Sequence, residues 1–280
     1  MIQEAICNLI DFALTEDIGD GDHSSLACIP GKARGKARLL IKEAGVIAGL
    51  DIASYVFSRL DKRIKLSECL SDGSSVKPGD TGFVAEGPTQ ALLKSERLVL
   101  NIIQRMSGIA TNTRMYVEAV KPYKARILDT RKTTPGFRAF EKEAVRIGGG
   151  VNHRMGLYDM IMLKDNHIDY AGGIKNAIIK ANDYREKVKK ALPIVIEARN
   201  IDELKQILKN GMIDRIMLDN FSITETEKAV ELINGRYEIE SSGGITLDTV
   251  RSYAQCGVDY ISVGALTHHV KSMDVSLKAI

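Results

Sequence analysis

Basic side chains are concentrated in one stretch of the sequence, from Arg126 to His167. The stretch contains eight Lys and Arg against five Asp and Glu, an excess equal to the net charge of +3 of the whole chain. Arg binds a carboxylate or phosphate through a planar, bidentate fork, and Lys acts as a compact charge. A solvated basic face explains single residues of this kind, but several together predict a local site for small anions. Its candidates are Arg131, Lys132, Arg154 and Lys164.

Two acidic residues and two glycine-containing segments extend the candidate set. Glu197 and Asp219 could share a Mg²⁺, which takes one or two protein carboxylates plus substrate oxygens. Helix capping or salt bridging would explain them as well. Ser242-Gly243-Gly244 is expected to precede a helix beginning near Thr246, so its N–H groups could hold a phosphate, with Val263-Gly264-Ala265 approaching from the next strand. A plain strand-to-helix turn is the alternative.

Histidines also lie in or near the candidate site. His153 stands beside Arg154 and could hydrogen-bond an anion, whereas His167 is as readily structural. The pair His268 and His269 is expected at the surface, since no other ligand residues accompany it.

The elements that must position these residues form a repeating pattern in the C-terminal half. Short β-branched runs alternate with helical segments, and the last four runs begin 22 or 23 residues apart. Connections this short imply parallel strands with right-handed crossovers. We therefore expect an atypical six-stranded α/β barrel, although the periodicity alone also permits an open doubly wound sheet. The runs cover 125–130, 160–165, 193–198, 215–220, 237–242 and 260–265.

Ligands of parallel α/β folds bind at the carboxyl ends of the strands. Nearly every residue at those ends is charged or suited to backbone contact with an anion, which brings the dispersed candidates to one edge. The residues at the ends are Thr130, Arg131, Lys132, Lys164, Glu197, Asp219, Ser242, Gly243, Gly244, Val263, Gly264 and Ala265.

The N-terminal part has a different pattern, with short strands around a helix and a turn at Lys77-Pro78-Gly79-Asp80. We expect an α+β, sandwich-like domain with a linking helix over 1–110, the barrel over 111–270, and a tail, 271–280, that packs back on the N-terminal domain. The linking helix, within 90–121, is expected to break near Gly108.

Composition excludes several classes of protein. A hydrophobic content of 44%, a net charge of +3 and the absence of Trp are not those of a disordered chain or a dedicated nucleic-acid binder. The four cysteines are scattered, which favours neither zinc nor disulfides and fits a reducing cytoplasm. No apolar run reaches the length of a membrane span, and the N-terminus is typical of an amphipathic helix rather than a signal peptide.

Longer motifs carry a resemblance. The segments "LDTRKTTPGFR", "AVRIGGGVNHRMGLYDMIMLKDNHI", "IMLDN", "SSGGI" and "SVGALTH", in this order and spacing, resemble the quinolinate phosphoribosyltransferases, also called carboxylating nicotinate-nucleotide pyrophosphorylases. The segments "LTEDIGDGD" and "SERLVLNIIQRMSGIAT" extend the resemblance over nearly the whole chain.

The resemblance implies phosphoribosyl transfer from PRPP to quinolinate with loss of CO₂, which gives nicotinate mononucleotide for NAD synthesis. It also implies a Mg²⁺-dependent homodimer in which Arg97 reaches the site of the partner subunit. Glu197 and Asp219 would serve the metal and ribose, directly or through water, and 242–244 with 263–265 would hold the 5′-phosphate. The quinolinate pocket would contain Arg97, Thr130, Arg131, Lys132, His153, Arg154 and Lys164.

Two other functions stay open from the sequence. A related phosphoribosyltransferase acting on nicotinate or another heterocyclic acid would use similar residues, and a non-catalytic phosphate-binding barrel would need only the glycine segments. Several cationic anchors favour a diacid, and the pair Glu197 and Asp219 argues against simple phosphate binding.

Overall fold

The computed structural model describes residues 4–280, which form eleven helices and twelve strands. The elements up to the long helix are α1 (Glu4–Ile18), α2 (His23–Cys28), β1 (Arg34–Ile41), β2 (Gly45–Val46), α3 (Leu50–Leu60), β3 (Lys65–Ser67), β4 (Ser75–Val76), β5 (Thr81–Pro88) and α4 (Thr89–Ala119). The remaining elements are β6 (Arg126–Leu128), α5 (Arg138–Ile147), β7 (Ile161–Leu163), α6 (Asp165–Ala171), α7 (Ile174–Val188), β8 (Ile194–Ala198), α8 (Ile201–Asn210), β9 (Arg215–Asp219), α9 (Ile223–Ile233), β10 (Glu238–Ser242), α10 (Val250–Gln255), β11 (Tyr260–Ser262), α11 (Ala265–His268) and β12 (Val275–Ala279).

The chain divides into two compact units. Unit 1 contains the chain up to Arg114 together with Thr133–Gly149 and Leu266–Ile280, and unit 2 contains Met115–Lys132 and Gly150–Ala265. This division differs from the sequence-based ranges at residues 111–114, 133–149 and 266–270, which the sequence assigned to the barrel.

Unit 2 is built on a six-stranded parallel sheet in the order β6-β11-β10-β9-β8-β7. All six strands predicted from the sequence are present. From β7 to β11 each strand pairs with the next one along the chain, always in the same direction. A doubly wound sheet has a point within its run of neighbouring strands where this direction reverses, and β7 to β11 contain none. The first strand of the unit, β6, pairs in parallel with the last one, β11. The single direction of winding is that of a barrel, and Val151 adds an isolated parallel bridge to Leu128 on β6.

Unit 1 contains a sheet in the order β12-β1-β5-β3, in which every pair is antiparallel. Phe57 on α3 meets Phe83 on β5 edge to face, with ring centroids 5.7 Å apart, and both rings are buried. The helix therefore covers one face of the sheet. The C-terminal strand β12 pairs with β1, from Val275 opposite Ile41 to Ala279 opposite Ala37.

Helix α5 is held in unit 1 by a buried ion pair. Arg105 Nη2 on α4 donates to Glu141 Oε1 on α5 at 2.7 Å, and the Glu141 side chain is fully buried. A buried carboxylate requires such a partner because its desolvation is costly. The partner lies 36 residues away in sequence, so local patterns do not reveal which unit contains α5.

The predicted break in the linking helix is wrong, because α4 runs without interruption through Gly108. A side chain at this position would place its Cβ 2.2 Å from the backbone oxygen of Lys271. The glycine therefore permits a close approach between two backbones rather than ending the helix. Among residues 4–280, no helix combines the length and apolar composition that crossing a bilayer requires.

Candidate functional site

The alternation of side chains along the barrel strands brings the candidate residues to one end of unit 2. Met162, Val195 and Met217, on three neighbouring strands, form one buried apolar cluster. Successive side chains of a strand point to opposite faces, so residues two positions further on share the face of the cluster. Those residues are Lys164, Glu197 and Asp219, at or just beyond the carboxyl ends of β7, β8 and β9.

Lys164 and Glu197 form an ion pair on neighbouring strands. Lys164 Nζ donates to Glu197 Oε1 at 2.6 Å, and the Glu197 side chain is only 7% exposed against 45% for Lys164. The salt-bridge role considered for Glu197 is therefore present. His167 Nδ1 accepts a hydrogen bond from the Lys164 backbone N–H at 3.1 Å, so this imidazole caps the start of α6.

Arg131 and Arg154 place two positive charges close together. Burial and the charge of Arg131 both lower the pKa of the Arg154 guanidinium, against the opposing influence of Asp159 and Glu197. Arg154 is 9% exposed, and its one side-chain hydrogen bond within residues 4–280 is donated to the Met160 carbonyl at 3.3 Å. Arg131 makes no side-chain hydrogen bond or ion pair within the same range. Guanidinium groups stay charged at neutral pH, so the pair is suited to receive an anion.

His153 is enclosed by groups of the protein itself. Its backbone N–H donates to Asp129 Oδ1 at 2.8 Å, and its Nδ1 accepts from the Arg154 backbone N–H at 2.7 Å. Nε2 lies 3.4 Å from Glu240 Oε1, and the His153 side chain is only 5% exposed. Direct contact between His153 and an anion therefore stays a prediction. Glu240 was missed from the sequence, since it looks like any residue inside a strand.

The segment Ser242-Gly243-Gly244 has open N–H groups. Within residues 4–280 the backbone N–H groups of Gly243 and Gly244 donate to no other group, and Gly244 is exposed. A Cβ on Gly243, whose φ is +99°, would lie 2.2 Å from Asn220 Oδ1, so this position requires glycine. The predicted helix start near Thr246 is wrong, because α10 begins only at Val250. Any anion here would depend on the turn itself.

The second glycine segment consists of residues 263–265. The Val263 N–H donates to the Leu128 carbonyl at 3.0 Å and is therefore used by the sheet. Gly264 and Ala265 follow β11, and Ala265 begins α11.

The remaining predicted residues differ in their surroundings. Thr130 Oγ1 accepts from the Lys132 backbone N–H at 3.0 Å, which shapes the turn after β6 and leaves Lys132 exposed. Arg97 belongs to unit 1, where it is exposed on α4 and has no hydrogen bond or ion pair with any residue from 4 to 280.

Carboxylates near the strand ends suit a metal that draws part of its coordination from substrate. Glu197 and Asp219 end hydrogen-bonded neighbouring strands, and both are oxygen donors of the type that Mg²⁺ prefers. Residues 4–280 contain no cluster of three or more His, Cys, Asp or Glu that could hold a metal alone. Two oxygen donors match the one or two protein carboxylates that Mg²⁺ commonly uses, and the metal itself stays a prediction.

A groove of about 550 Å³ in unit 2 borders part of the site. Arg154 and His167 line it together with the exposed apolar side chains of Leu157 and Tyr158. It lies along β7 and does not include Arg131, Glu197 or Asp219, so the groove and the predicted pocket are distinct apart from Arg154.

Comparisons with known proteins cover almost the whole chain. Residues 22–107 match the N-terminal domain, and residues 109–278 the C-terminal domain, of the family described as quinolinate phosphoribosyl transferase. The carboxylating nicotinate-nucleotide pyrophosphorylase of Oryza sativa, described as chloroplastic, is 46% identical over 96% of this chain and 76% of its own length. A probable enzyme of the same name from Bacillus subtilis is 42% identical over 96% of this chain and 91% of its own length. The structure of the nicotinate-nucleotide pyrophosphorylase from Francisella tularensis superimposes with a TM-score of 0.92 at 39% identity, covering 99% of this chain and 96% of that one.

Proposed function

The chain belongs to the quinolinate phosphoribosyltransferase family, and from this premise we propose that it transfers a phosphoribosyl group from PRPP to quinolinate. The products are nicotinate mononucleotide, pyrophosphate and CO₂, which places the reaction in NAD synthesis. The names of relatives that are 42–46% identical over nearly the full chain support this activity.

The observation that carries the substrate assignment is the pair Arg131 and Arg154. Without a ligand these two guanidinium groups repel each other, because they lie close enough for the charge of Arg131 to lower the pKa of Arg154. Neither has a carboxylate of the protein within hydrogen-bond reach among residues 4–280. Quinolinate supplies two carboxylates, and Arg recognises such groups by paired hydrogen bonds. A dianion therefore removes the repulsion that the unliganded site contains.

The chain's own residues position the reactants rather than form a covalent intermediate. The ring nitrogen of quinolinate attacks ribose C1 without first losing a proton, so no Ser or Cys nucleophile is required. Arg131 and Arg154 fix the two carboxylates and thereby orient that nitrogen. Once the nitrogen is quaternised, the bond from the adjacent ring carbon to its carboxylate breaks and CO₂ leaves. The electron pair stays on that carbon beside the positive nitrogen, and a proton from solvent then completes the C–H bond of the product. Decarboxylation then depends on orientation and on the positive field of the site.

We propose Glu197 and Asp219 for the side of the site that faces PRPP. These two carboxylates would hold Mg²⁺, which when bound would supply charge neutralisation for the pyrophosphate leaving group. The open N–H groups of Gly243 and Gly244 would hold the 5′-phosphate. Lys164, already paired with Glu197, would keep that carboxylate in place and offer its remaining donors to quinolinate.

We also propose a homodimer in which Arg97 completes the site of the partner subunit. Two observations support it: Arg97 is exposed without a partner among residues 4–280, and the exposed side chains of Leu157 and Tyr158 suit an interface. At a quinolinate concentration too low for either variant to turn over alone, mixing Arg97→Ala and Arg131→Ala should restore about a quarter of wild-type activity. Half of randomly mixed dimers contain one subunit of each variant, and each of these dimers has one intact site. Absence of recovery, with subunit exchange verified, would reject the shared site.

The activity is tested by incubating the purified protein with PRPP, Mg²⁺ and carboxyl-labelled quinolinate. We expect labelled CO₂ and nicotinate mononucleotide in equal amounts. Turnover of nicotinate in place of quinolinate would support the related phosphoribosyltransferase. Phosphate binding without turnover of either acid would support a non-catalytic barrel.

A further inference from the structure

Glu240 is a fully buried carboxylate in the middle of the barrel of unit 2. Its Oε2 accepts from Arg215 Nη1 at 3.0 Å. Its Oε1 accepts from the Ser262 hydroxyl and lies 3.4 Å from His153 Nε2. Burial acts to raise the pKa of Glu240, but His153, Ser262 and Arg215 outweigh it and lower the pKa below the ordinary value. The carboxylate therefore accepts two hydrogen bonds, from Arg215 and Ser262, and faces His153 Nε2 within ion-pair distance.

Stability alone gives no reason for a charge at this place. Glu240 pairs in register with Met217, which belongs to the apolar cluster of the same barrel. Burying an ion pair usually stabilises a protein no more than apolar residues of the same volume would. Arg215 also has a second carboxylate, since its Nη2 donates to Glu238 Oε2 at 2.9 Å. Contacts with Ser262 and His153 distinguish Glu240 from Glu238, and of these two residues only His153 adjoins a guanidinium residue of the site.

The hydrogen bonds of His153 determine where its proton lies. Nδ1 accepts from the Arg154 backbone N–H at 2.7 Å, so in the neutral ring the proton is on Nε2, the nitrogen that faces Glu240. A carboxylate opposite one ring nitrogen fixes the tautomer and the orientation of an imidazole. The ring in turn holds the backbone of Arg154, one of the two guanidinium residues of the site.

We infer that Glu240 is a positioning residue, which fixes the Nε2–H tautomer of His153 and through it the place of Arg154 in the quinolinate pocket. The inference rests on the proposed function for its kinetic consequence. Its structural part, the tautomer of His153, can be measured without any turnover. In this role Glu240 does not touch substrate, and it affects the binding of quinolinate but not that of PRPP.

The variant Glu240→Gln keeps the size of the side chain and removes its charge. The amide can direct its one oxygen to Arg215 or to His153, but not with the strength of a carboxylate. We expect the KM for quinolinate to rise about tenfold, the scale of one charge-assisted hydrogen bond, with the KM for PRPP within about twofold. A merely structural role would lower thermal stability or the amount of active enzyme and leave both KM values unchanged.

Glu238→Gln is the matched control. It removes the other carboxylate of Arg215, two residues earlier on the same face of β10, and it does not contact His153. We expect its KM values to match those of wild type. An equal rise in KM in both variants would attribute the effect to Arg215 and overturn the inference.

Two further measurements keep the inference testable. In a His153→Gln background, Glu240→Gln should add no further change in the KM for quinolinate; additive effects would overturn the coupling.

In ¹⁵N-histidine spectra, His153 should be the Nε2–H tautomer in wild type and in Glu238→Gln, and should lose that state in Glu240→Gln. An unchanged His153 signal in Glu240→Gln would refute the inference even in a protein with no activity on quinolinate. A wild-type protein with the expected tautomer but no turnover would refute only the proposed function.

Discussion

Replacing Arg131 by Ala should weaken substrate binding without weakening the fold. The side chain is partly buried, makes no hydrogen bond or ion pair with any residue from 4 to 280, and carries a charge that lowers the pKa of Arg154. Its removal takes away repulsion and breaks no hydrogen bond or ion pair among residues 4–280. We therefore expect the free energy of unfolding without ligand to stay within about 0.5 kcal/mol of wild type or to rise.

The loss on the binding side follows from the contacts that Arg131 would make. A hydrogen bond to a charged group contributes about 1.5–3 kcal/mol, which corresponds to a rise in the quinolinate Kd of about 10- to 150-fold. Isothermal titration with quinolinate and, separately, with PRPP measures this difference, and PRPP affinity should change far less. Arg131→Lys keeps the charge without the planar fork, so its quinolinate affinity should lie between those of wild type and Arg131→Ala.

A structural arginine supplies the control. Arg251 on α10 donates to the backbone carbonyl of Lys121 at 3.0 Å, and neither residue is among the predicted site residues. Arg251→Ala should lower the free energy of unfolding by about 0.5–1.5 kcal/mol and leave the quinolinate Kd unchanged. The placement of Arg131 in the quinolinate pocket is refuted if Arg131→Ala destabilises the protein as much as Arg251→Ala does. It is also refuted if Arg131→Ala weakens PRPP binding more than quinolinate binding.

Three other perturbations give distinct expected results. Lys164→Ala leaves the buried Glu197 carboxylate without its ion pair, so urea unfolding should show a loss of about 1–3 kcal/mol, most of which Glu197→Gln in the same chain should recover. Gly243→Ala should lower the Tm more than Gly244→Ala. Both glycines have positive φ, which costs a residue with a side chain about 1–2 kcal/mol, but only Gly243 would also bring a Cβ against Asn220. Equal losses of Tm in the two variants would contradict the close contact. Glu240 has a pKa below its ordinary 4.5, so its contribution to the free energy of unfolding should be complete above that pH and disappear as the pH falls through the lowered value. The stability difference between wild type and Glu240→Gln should therefore shrink on acidification, and a difference that grows would contradict the stated direction of the pKa.

The sequence alone was sufficient for the barrel and for most of its polar edge. Strands of unit 2 are short, β-branched and regularly spaced, and this pattern can be recognised in the sequence without knowledge of tertiary contacts. Because parallel strands place their carboxyl ends together, the order of elements was enough to group Lys164, Glu197 and Asp219. The motifs around Arg131 and Arg154 supplied the family, which the comparisons confirm.

Other features depended on contacts between distant parts of the chain. Glu240 is one of several acidic residues in strands, and only its neighbours Ser262, His153 and Arg215 distinguish it. Gly108 has the usual sequence signature of a helix break, yet the backbone of Lys271 is what requires it to be glycine. The sequence determined which residues stand at the strand ends, because side-chain alternation is local. Only the tertiary structure decided which charges meet and which stay unpaired, because the cost of burying a charge depends on partners brought in from other strands.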